Sequence, residues 1–215
     1  QASRHGIMHR LSQYSSKAFD YMVYHTSSQL DYYKDQFPWL VNKSRFILLG
    51  VDYEYWKNKT YPQREDRNSY IVCVGYRKRD WNTLLKAYAM SGIKEKLYLI
   101  GNPNICCNNP NVKVLPFIPI DKLMTYIVNS KFSVIPLDDF NYSFAQLTLL
   151  QQMALGVAIL AADVPSIRDY ANLSNGIILY KPYNIEDLKE KLVQLSNYSV
   201  EDSLMMKKSN IEAIK

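Results

Sequence analysis

At 215 residues, 47% of them hydrophobic, the chain is long enough to bury one complete α/β core, with sequence left over for part of a second unit. Its formal net charge of +6 suits anionic partners such as nucleotides, phosphates or an acidic membrane surface, although ordinary solvated lysines would give the same total. Three cysteines, two of them adjacent (Cys106 and Cys107, with Cys73 apart), exclude a disulfide framework and a zinc spacing, and no apolar run approaches the ~20 residues of a membrane span.

In chain order, the first 45 residues predict a polar helix over about Arg4–Phe19, a strand over Tyr21–His25 and a helix over about Ser28–Phe37 with Ser27 as its N-cap. One βα unit cannot bury itself, so residues 1–45 are expected to close a preceding domain whose other strands are absent. Phe46–Leu49 reads as a short strand ending at Gly50-Val51-Asp52, and residues 53–69, rich in Asn, Lys, Pro and Arg, read as a surface crossing. From residue 70 onward β-branched apolar runs alternate with stretches of helical spacing, the mark of βα units on a parallel sheet. Strands are expected over Tyr70–Gly75, Lys96–Gly101, Val112–Phe117, Phe132–Leu137, Val157–Asp163 and Ile177–Lys181. The helices between them are expected over Trp81–Met90, Ile120–Asn129, Phe144–Leu155, Ser166–Ala171 and Ile185–Leu195. Gly92 and Gly156 sit just past periodic runs, where a C-terminal cap takes positive φ. The tail, 199–215, carries weak amphipathic spacing through Leu204, Met205 and Ile211 and reads as a helix in need of an absent partner surface. The main domain is thus expected over 46–198, a doubly wound α/β sheet of Rossmann type.

Two turns could carry chemistry. In Ser143-Phe144-Ala145-Gln146, Ser143 and Gln146 have the spacing of a capping box, and the first-turn amides of Phe144, Ala145, Gln146, Leu147 and Thr148 would lie near the open end of a parallel strand. A diphosphate fits such a helix start, where the dipole favours an anion by about 1 kcal/mol. In Gly75-Tyr76-Arg77-Lys78-Arg79-Asp80, three consecutive cations between a strand end and a helix start make a poor core and a good phosphate clamp, with Asp80 as N-cap and local partner of a neighbouring base. As a solvated charge run the same residues would do nothing. Both turns belong to the C-terminal edge of one sheet, so they are expected to converge.

Weaker candidates are Asp138 and Asp139, as an acid/base pair or a solvated loop, and His5 with His9, four apart on a helix but lacking a third ligand; no metal site is expected. His25 lies outside the main domain. Five Asn-x-Ser/Thr triplets, at Asn42, Asn58, Asn141, Asn172 and Asn197, read as chance in a chain rich in Asn, Ser and Lys. The chain opens on Gln1 rather than methionine and without a secretory pattern, as expected of a piece of a longer protein. No phosphate-binding P-loop, Gly-x-Ser-x-Gly elbow or Gly-x-Gly-x-x-Gly fingerprint is present, which argues against nucleotide hydrolases, serine hydrolases and dinucleotide dehydrogenases.

Set in order, residues 20–196 resemble the C-terminal, donor-binding domain of retaining family four (group 1) glycosyltransferases, which have the GT-B architecture of two facing Rossmann-like lobes. Leu48-Leu49-Gly50-Val51-Asp52, with Trp56 following, resembles the family's interdomain junction. Gly75, Arg77 and Arg79 resemble its cationic turn on the donor diphosphate, and Val114–Ile118 the strand and turn at the base, making Phe117 and Ile118 the base contacts. Leu150-Gln151-Gln152-Met153-Ala154-Leu155-Gly156-Val157 resembles the family's Leu-Glu-Ala-Met-Ala-x-Gly helix, and Ser166-Ile167-Arg168-Asp169 and Asn175-Gly176-Ile177-Ile178 its downstream signature. Family members carry two glutamates eight positions apart; here those positions are Ser143 and Gln151. Gln151 can still bond a ribose diol, whereas Ser143 and Gln146 are weak substitutes for the group that faces the donor sugar.

The resemblance implies transfer of a sugar from a nucleoside diphosphate sugar, of UDP or GDP type, to a saccharide or lipid-linked acceptor held by the missing N-terminal lobe. It implies no cofactor, no nucleic acid, and a cytoplasmic setting that allows peripheral contact with the inner face of a bacterial membrane, in surface polysaccharide synthesis. The alternative is a noncatalytic GT-B descendant serving as nucleotide-binding or scaffold module, which the glutamate losses favour and the cationic turn opposes. A GT-B nucleotide-sugar epimerase fits the junction and the helix less well.

Overall fold

The computed structural model describes residues 6–101, 105–139 and 143–215. The chain opens with α1 (Ile7–Ser16), β1 (Met22–Tyr24) and α2 (Gln29–Gln36), then a 3-10 turn over Pro38–Lys43 and β2 (Ser44–Phe46). β1 and β2 pair in parallel, Val23 opposite Arg45, in a two-stranded sheet of their own. The strand expected at Phe46–Leu49 therefore lies earlier and belongs to the N-terminal segment, so the break between the sheets falls after Phe46. Ser27 does not cap α2. The N-cap position is Ser28, while the Ser27 amide and hydroxyl both donate to the Asp169 carboxylate at 2.8 and 2.6 Å, a charged acceptor that outbids a neutral one.

The stretch 53–69 contains a short helix, α3 (Tyr53–Lys57), capped by Asp52, whose Oδ1 accepts from the Tyr55 amide at 2.9 Å, and anchored by buried Trp56. Six parallel strands follow, with a helix after each except β4: β3 (Tyr70–Val74), α4 (Trp81–Ser91), β4 (Lys96–Ile100), β5 (Val112–Leu115), α5 (Ile120–Val128), β6 (Ser133–Ile135), α6 (Gln146–Ala154), β7 (Ile159–Ala162), α7 (Pro165–Ala171), β8 (Ile177–Tyr180), α8 (Ile185–Ser196) and then a last helix, α9 (Val200–Glu212). Their order in the sheet is β5-β4-β3-β6-β7-β8. Strand side chains alternate between faces. Ile71, Cys73, Leu97 and Leu99 pack with Leu84 and Ala87 of α4 and Leu188 and Leu192 of α8, while Tyr70, Val72, Tyr98 and Ile100 pack with Met124 and Ile127 of α5 and with Trp56. Covered on both faces, β3 is buried throughout, which is why it reads as a continuous apolar run. The rings of Tyr70 and Tyr98 stack at 4.4 Å on the α5 face.

Helix ends follow local chemistry. Asp80 caps α4 through the Thr83 amide (3.0 Å), Gly92 ends it at φ +65°, and Gly156 takes φ +61° just past α6. The C-terminal tail is a helix with a reciprocal Ser199–Asp202 capping box, and its partner surface is present within the chain. α9 packs on α6, buries Met206, and inserts Asn210, fully buried, to donate to Val157 O at 2.7 Å and Gly176 O at 3.1 Å. Gly176 is the companion of that contact: a Cβ there would collide with Met206 O and with the Asn210 side chain. The weak apolar spacing arose because a polar side chain supplies the docking.

Candidate functional site

From β3 the chain winds outward through β4 to β5, then returns to place β6 on the other side of β3. This reversal puts a topological switch point at the carboxyl ends of β3 and β6, the place where open α/β sheets bind ligands. The loop leaving β3 is tied directly to the segment leaving β6. The Asp80 amide donates to Pro136 O at 3.0 Å, the Asp138 amide donates to Lys78 O at 3.2 Å, and Arg79 and Leu137 form an isolated antiparallel bridge. The first of the two turns singled out in the sequence is thus tied to the segment that leads from β6 toward the second.

Gly75 turns the chain at φ +105°, and a Cβ there would come within 2.6 Å of Arg79 Nη2. Arg79 uses that space to fold back, donating from Nη2 (2.9 Å) and Nε (3.2 Å) to Val74 O and from Nη1 (3.1 Å) to Arg77 O. Burial lowers its pKa. Arg77 and Lys78 are exposed, and the Arg77 guanidinium stands 5.4 Å from the Tyr76 ring centroid. Asp80 is the N-cap expected of it, but among the described residues it makes no ion pair with a neighbouring base: Oδ1 takes the Thr83 amide, while Oδ2 is buried without a partner there. Nearby the Tyr180 hydroxyl is likewise buried and unpartnered.

Phe117 is two-thirds exposed (66%), lies over Gly101, and meets the Tyr76 ring edge to face at 5.1 Å. Ile118 is half-buried against the α5 side of the core. An aromatic wall beside a cationic turn is suited to a base next to phosphates. Tyr76 escaped the sequence reading; the signal was an aromatic sitting inside a cationic turn.

The start of α6 departs from expectation. The helix begins at Gln146 with Ala145 as N-cap at φ +64°, and the Ser143–Gln146 capping box does not form. Both side chains are drawn to the N-terminal segment instead: Ser143 Oγ lies 3.1 Å from Thr26 Oγ1, and buried Gln146 donates from Nε2 to His25 O at 2.8 Å. Without a side-chain cap, the amides of Gln146, Leu147 and Thr148 have no acceptor among the described residues, which leaves an anion-seeking helix start. Phe144 and Thr148 are half-buried and Leu147 is exposed. Lys78 (φ +54°) and Ala145 are both non-glycine residues in the left-handed region, one on each turn, a strain of the order of 1 kcal/mol apiece that is concentrated at this rim.

One helical turn on, the two glutamines divide. Gln152 is fully buried, accepting from Ser133 Oγ at 2.5 Å, whereas Gln151 is half-exposed and its amide has no partner among the described residues. Asp138 and Asp139 are held by their backbone: the Asp139 amide donates to the Tyr183 hydroxyl at 2.9 Å. His25 Nδ1 bonds Ile47 O at 2.7 Å and His9 packs edge-on against Phe37. His5 and the Asn141 triplet lie outside the described residues.

A family model described as "glycosyl transferases group 1" matches residues 68–197. A search of the curated proteins found no match. Among solved structures, the fold is similar to sucrose-phosphate synthase from Thermosynechococcus elongatus (TM-score 0.76, 16% identity, covering 100% of this chain and 58% of that one). It is similar also to Anabaena HepE solved with UDP and glucose (0.74, 12%, 95% and 61%), and to a glycosyltransferase from Rickettsia africae (0.71, 13%, 98% and 62%). The chain therefore spans about three-fifths of the length of each of these neighbours. With the family model covering more than half of its residues and the parallel sheet matching GT-B structures, the chain belongs to the glycosyl transferases of group 1.

Proposed function

We propose that this chain is the donor-binding, C-terminal lobe of a GT-B glycosyltransferase, joined through Gly50-Val51-Asp52 to an acceptor lobe of which residues 1–45 are the closing part. It takes a nucleoside diphosphate sugar and passes the sugar, with retention, to a saccharide or lipid-linked acceptor in the building of surface glycans. The observation that supports this reading is the pairing of the Gly75–Asp80 loop with Pro136–Asp138 across the β3/β6 reversal, which ties the cationic turn to the segment that leads toward the uncapped start of α6. Arg77, Arg79 and the amides opening α6 would receive the charge that develops on the departing diphosphate, stabilisation that needs no chemistry from a side chain. Tyr76 and Phe117 would flank the base and Gln151 would bond the ribose. That HepE was solved with UDP and glucose supports a uridine nucleotide as the first ligand to try. Titration calorimetry of the chain with UDP and with GDP tests the reading: saturable binding of one of them is expected, and the absence of heat and of chemical-shift change at millimolar concentrations of both would overturn it.

A noncatalytic reading is favoured by one observation: Ser143 and Gln146, at the place where a carboxylate would face the donor sugar, are engaged by Thr26 and His25. Product formation by the intact protein separates the two.

A further inference from the structure

On the opposite edge of the sheet, where the strands begin, the Arg67-Asn68 turn before β3, Lys131 before β6 and the first turns of α9 enclose a hollow of about 420 Å³. Its lining includes Arg67, Lys131 and Lys207 and no carboxylate. Exposed Glu65 and Glu201 stand outside the lining, and three other acids around it are already committed. Asp66 holds Arg64 (2.7 Å), Asp202 closes the capping box with Ser199, and Glu95 pairs with Lys131 at 2.5 Å. Lys131 is thereby neutralised, but neither Arg67 nor Lys207 makes an ion pair among the described residues. Lys207 is half-buried, and both burial and the charge of Arg67 lower its pKa, the signature of two cations facing one space without a counter-ion. The rim has a second character. Val200 (88% exposed) and Leu204 (49%) line the hollow one helical turn apart, so an apolar step stands beside the cations.

We propose that this hollow binds a phosphate group carried on an apolar moiety, as in the headgroup of an anionic lipid, with Arg67 and Lys207 on the phosphate and Val200 and Leu204 against the apolar part. The site lies on the rim opposite the Gly75 and Gln146 turns, so it would hold the protein to an anionic surface while leaving the donor crevice open.

The test is co-sedimentation of the chain with vesicles of phosphatidylcholine alone and of phosphatidylcholine with phosphatidylglycerol, alongside titration of inorganic phosphate followed by amide chemical shifts. Binding only to the anionic vesicles is expected. R67Q/K207Q should lower the partition coefficient by roughly fivefold per cation, R67K/K207R should restore most of it, and removal of Lys113 and Lys122 elsewhere on the surface should change it far less. V200S/L204S should weaken vesicle binding while leaving phosphate-induced shifts at Arg67 and Lys207 in place. All four residues are exposed or half-buried, so unchanged thermal melts are expected to confirm folding. Equal anionic-vesicle binding by wild type and R67Q/K207Q would overturn the proposal. So would phosphate-induced shifts without vesicle binding, which would mark a site for free phosphate, and so would shifts confined to other parts of the chain.

Discussion

Arg79 lays its guanidinium on the carbonyl of Val74, with Nη2 at 2.9 Å, and no carboxylate among the described residues balances its charge. A largely desolvated cation bonded only to neutral oxygens is stabilised weakly, and burial accordingly lowers its pKa. An anion at the rim would supply what the protein omits. Replacing Arg79 by Met keeps most of the side-chain volume and removes the charge. Because the desolvation penalty disappears together with the hydrogen bonds, the thermal midpoint should change little. Affinity for UDP or GDP should fall roughly 10- to 100-fold, the scale of a charge-assisted hydrogen bond worth about 1.5–3 kcal/mol. Calorimetry giving equal affinities for wild type and R79M would remove Arg79 from the site.

Gln146 and Asp169 together hold residues 25–28 against α6 and α7, the first through His25 O and the second through the amide and hydroxyl of Ser27. Their strengths differ in a readable way. Q146A removes a neutral bond, and amide exchange in residues 25–28 should quicken by about fivefold to tenfold, corresponding to about 1 kcal/mol. D169A removes two bonds to an ionised acceptor and should quicken it further. If exchange in that segment is the same in wild type and both variants, these contacts do not hold it.

The triad of buried Glu95 with half-buried Lys131 and Ser196 gives a pH prediction. Burial pushes the Glu95 carboxyl up, but hydrogen bonds from Lys131 Nζ and Ser196 Oγ outweigh it, and the net shift is downward. A carboxyl whose folded-state pKa lies below its unfolded value contributes stability that is fully present above the unfolded pKa and is lost as pH falls through the folded one. Glu95→Gln should therefore destabilise the protein at pH 7, and the gap between variant and wild type in urea midpoint should close below about pH 4. A gap that stays constant from pH 7 to pH 3 would show that the carboxylate charge contributes nothing.

Much of the fold was legible because it rests on periodicity. β3 and β4 are apolar on both faces and so stand out as runs, and Gly92 and Gly156 end their helices at the positive φ their positions required. The bonding of the candidate site residues was less legible. Ser143 and Gln146 have the spacing of a capping box, but spacing along one helix cannot reveal that Thr26 and His25, more than a hundred residues away in sequence, compete for the same side chains. Tyr76 pairs with Phe117 across two loops, a contact that no local pattern announces. The tail misled for a related reason: its docking residue is Asn210, and hydrophobic spacing does not register a buried amide.

Asn210 therefore offers the sharpest test of how the last helix is held. Its Nδ2 serves Val157 O and Gly176 O, its Oδ1 accepts from Ser174 Oγ at 2.6 Å, and it is fully excluded from water. Asn210→Leu has nearly the same size but takes the side-chain donor from Val157 O, while Gly176 O keeps the Ile159 amide and the Ser174 hydroxyl keeps Ser209 and the Gly176 amide, and should cost about 1–3 kcal/mol in urea unfolding. Asn210→Asp should be worse at pH 7, since a carboxylate would face two carbonyl oxygens in a dry site. That burial would raise the introduced carboxyl's folded-state pKa above its unfolded value, so the penalty applies where the group is ionised and shrinks as pH falls toward about 4, where a protonated carboxyl can again donate one bond. A variant series in which Leu and Asp cost the same at pH 7 and at pH 4 would mean that packing alone, and not this hydrogen-bonded plug, docks the helix.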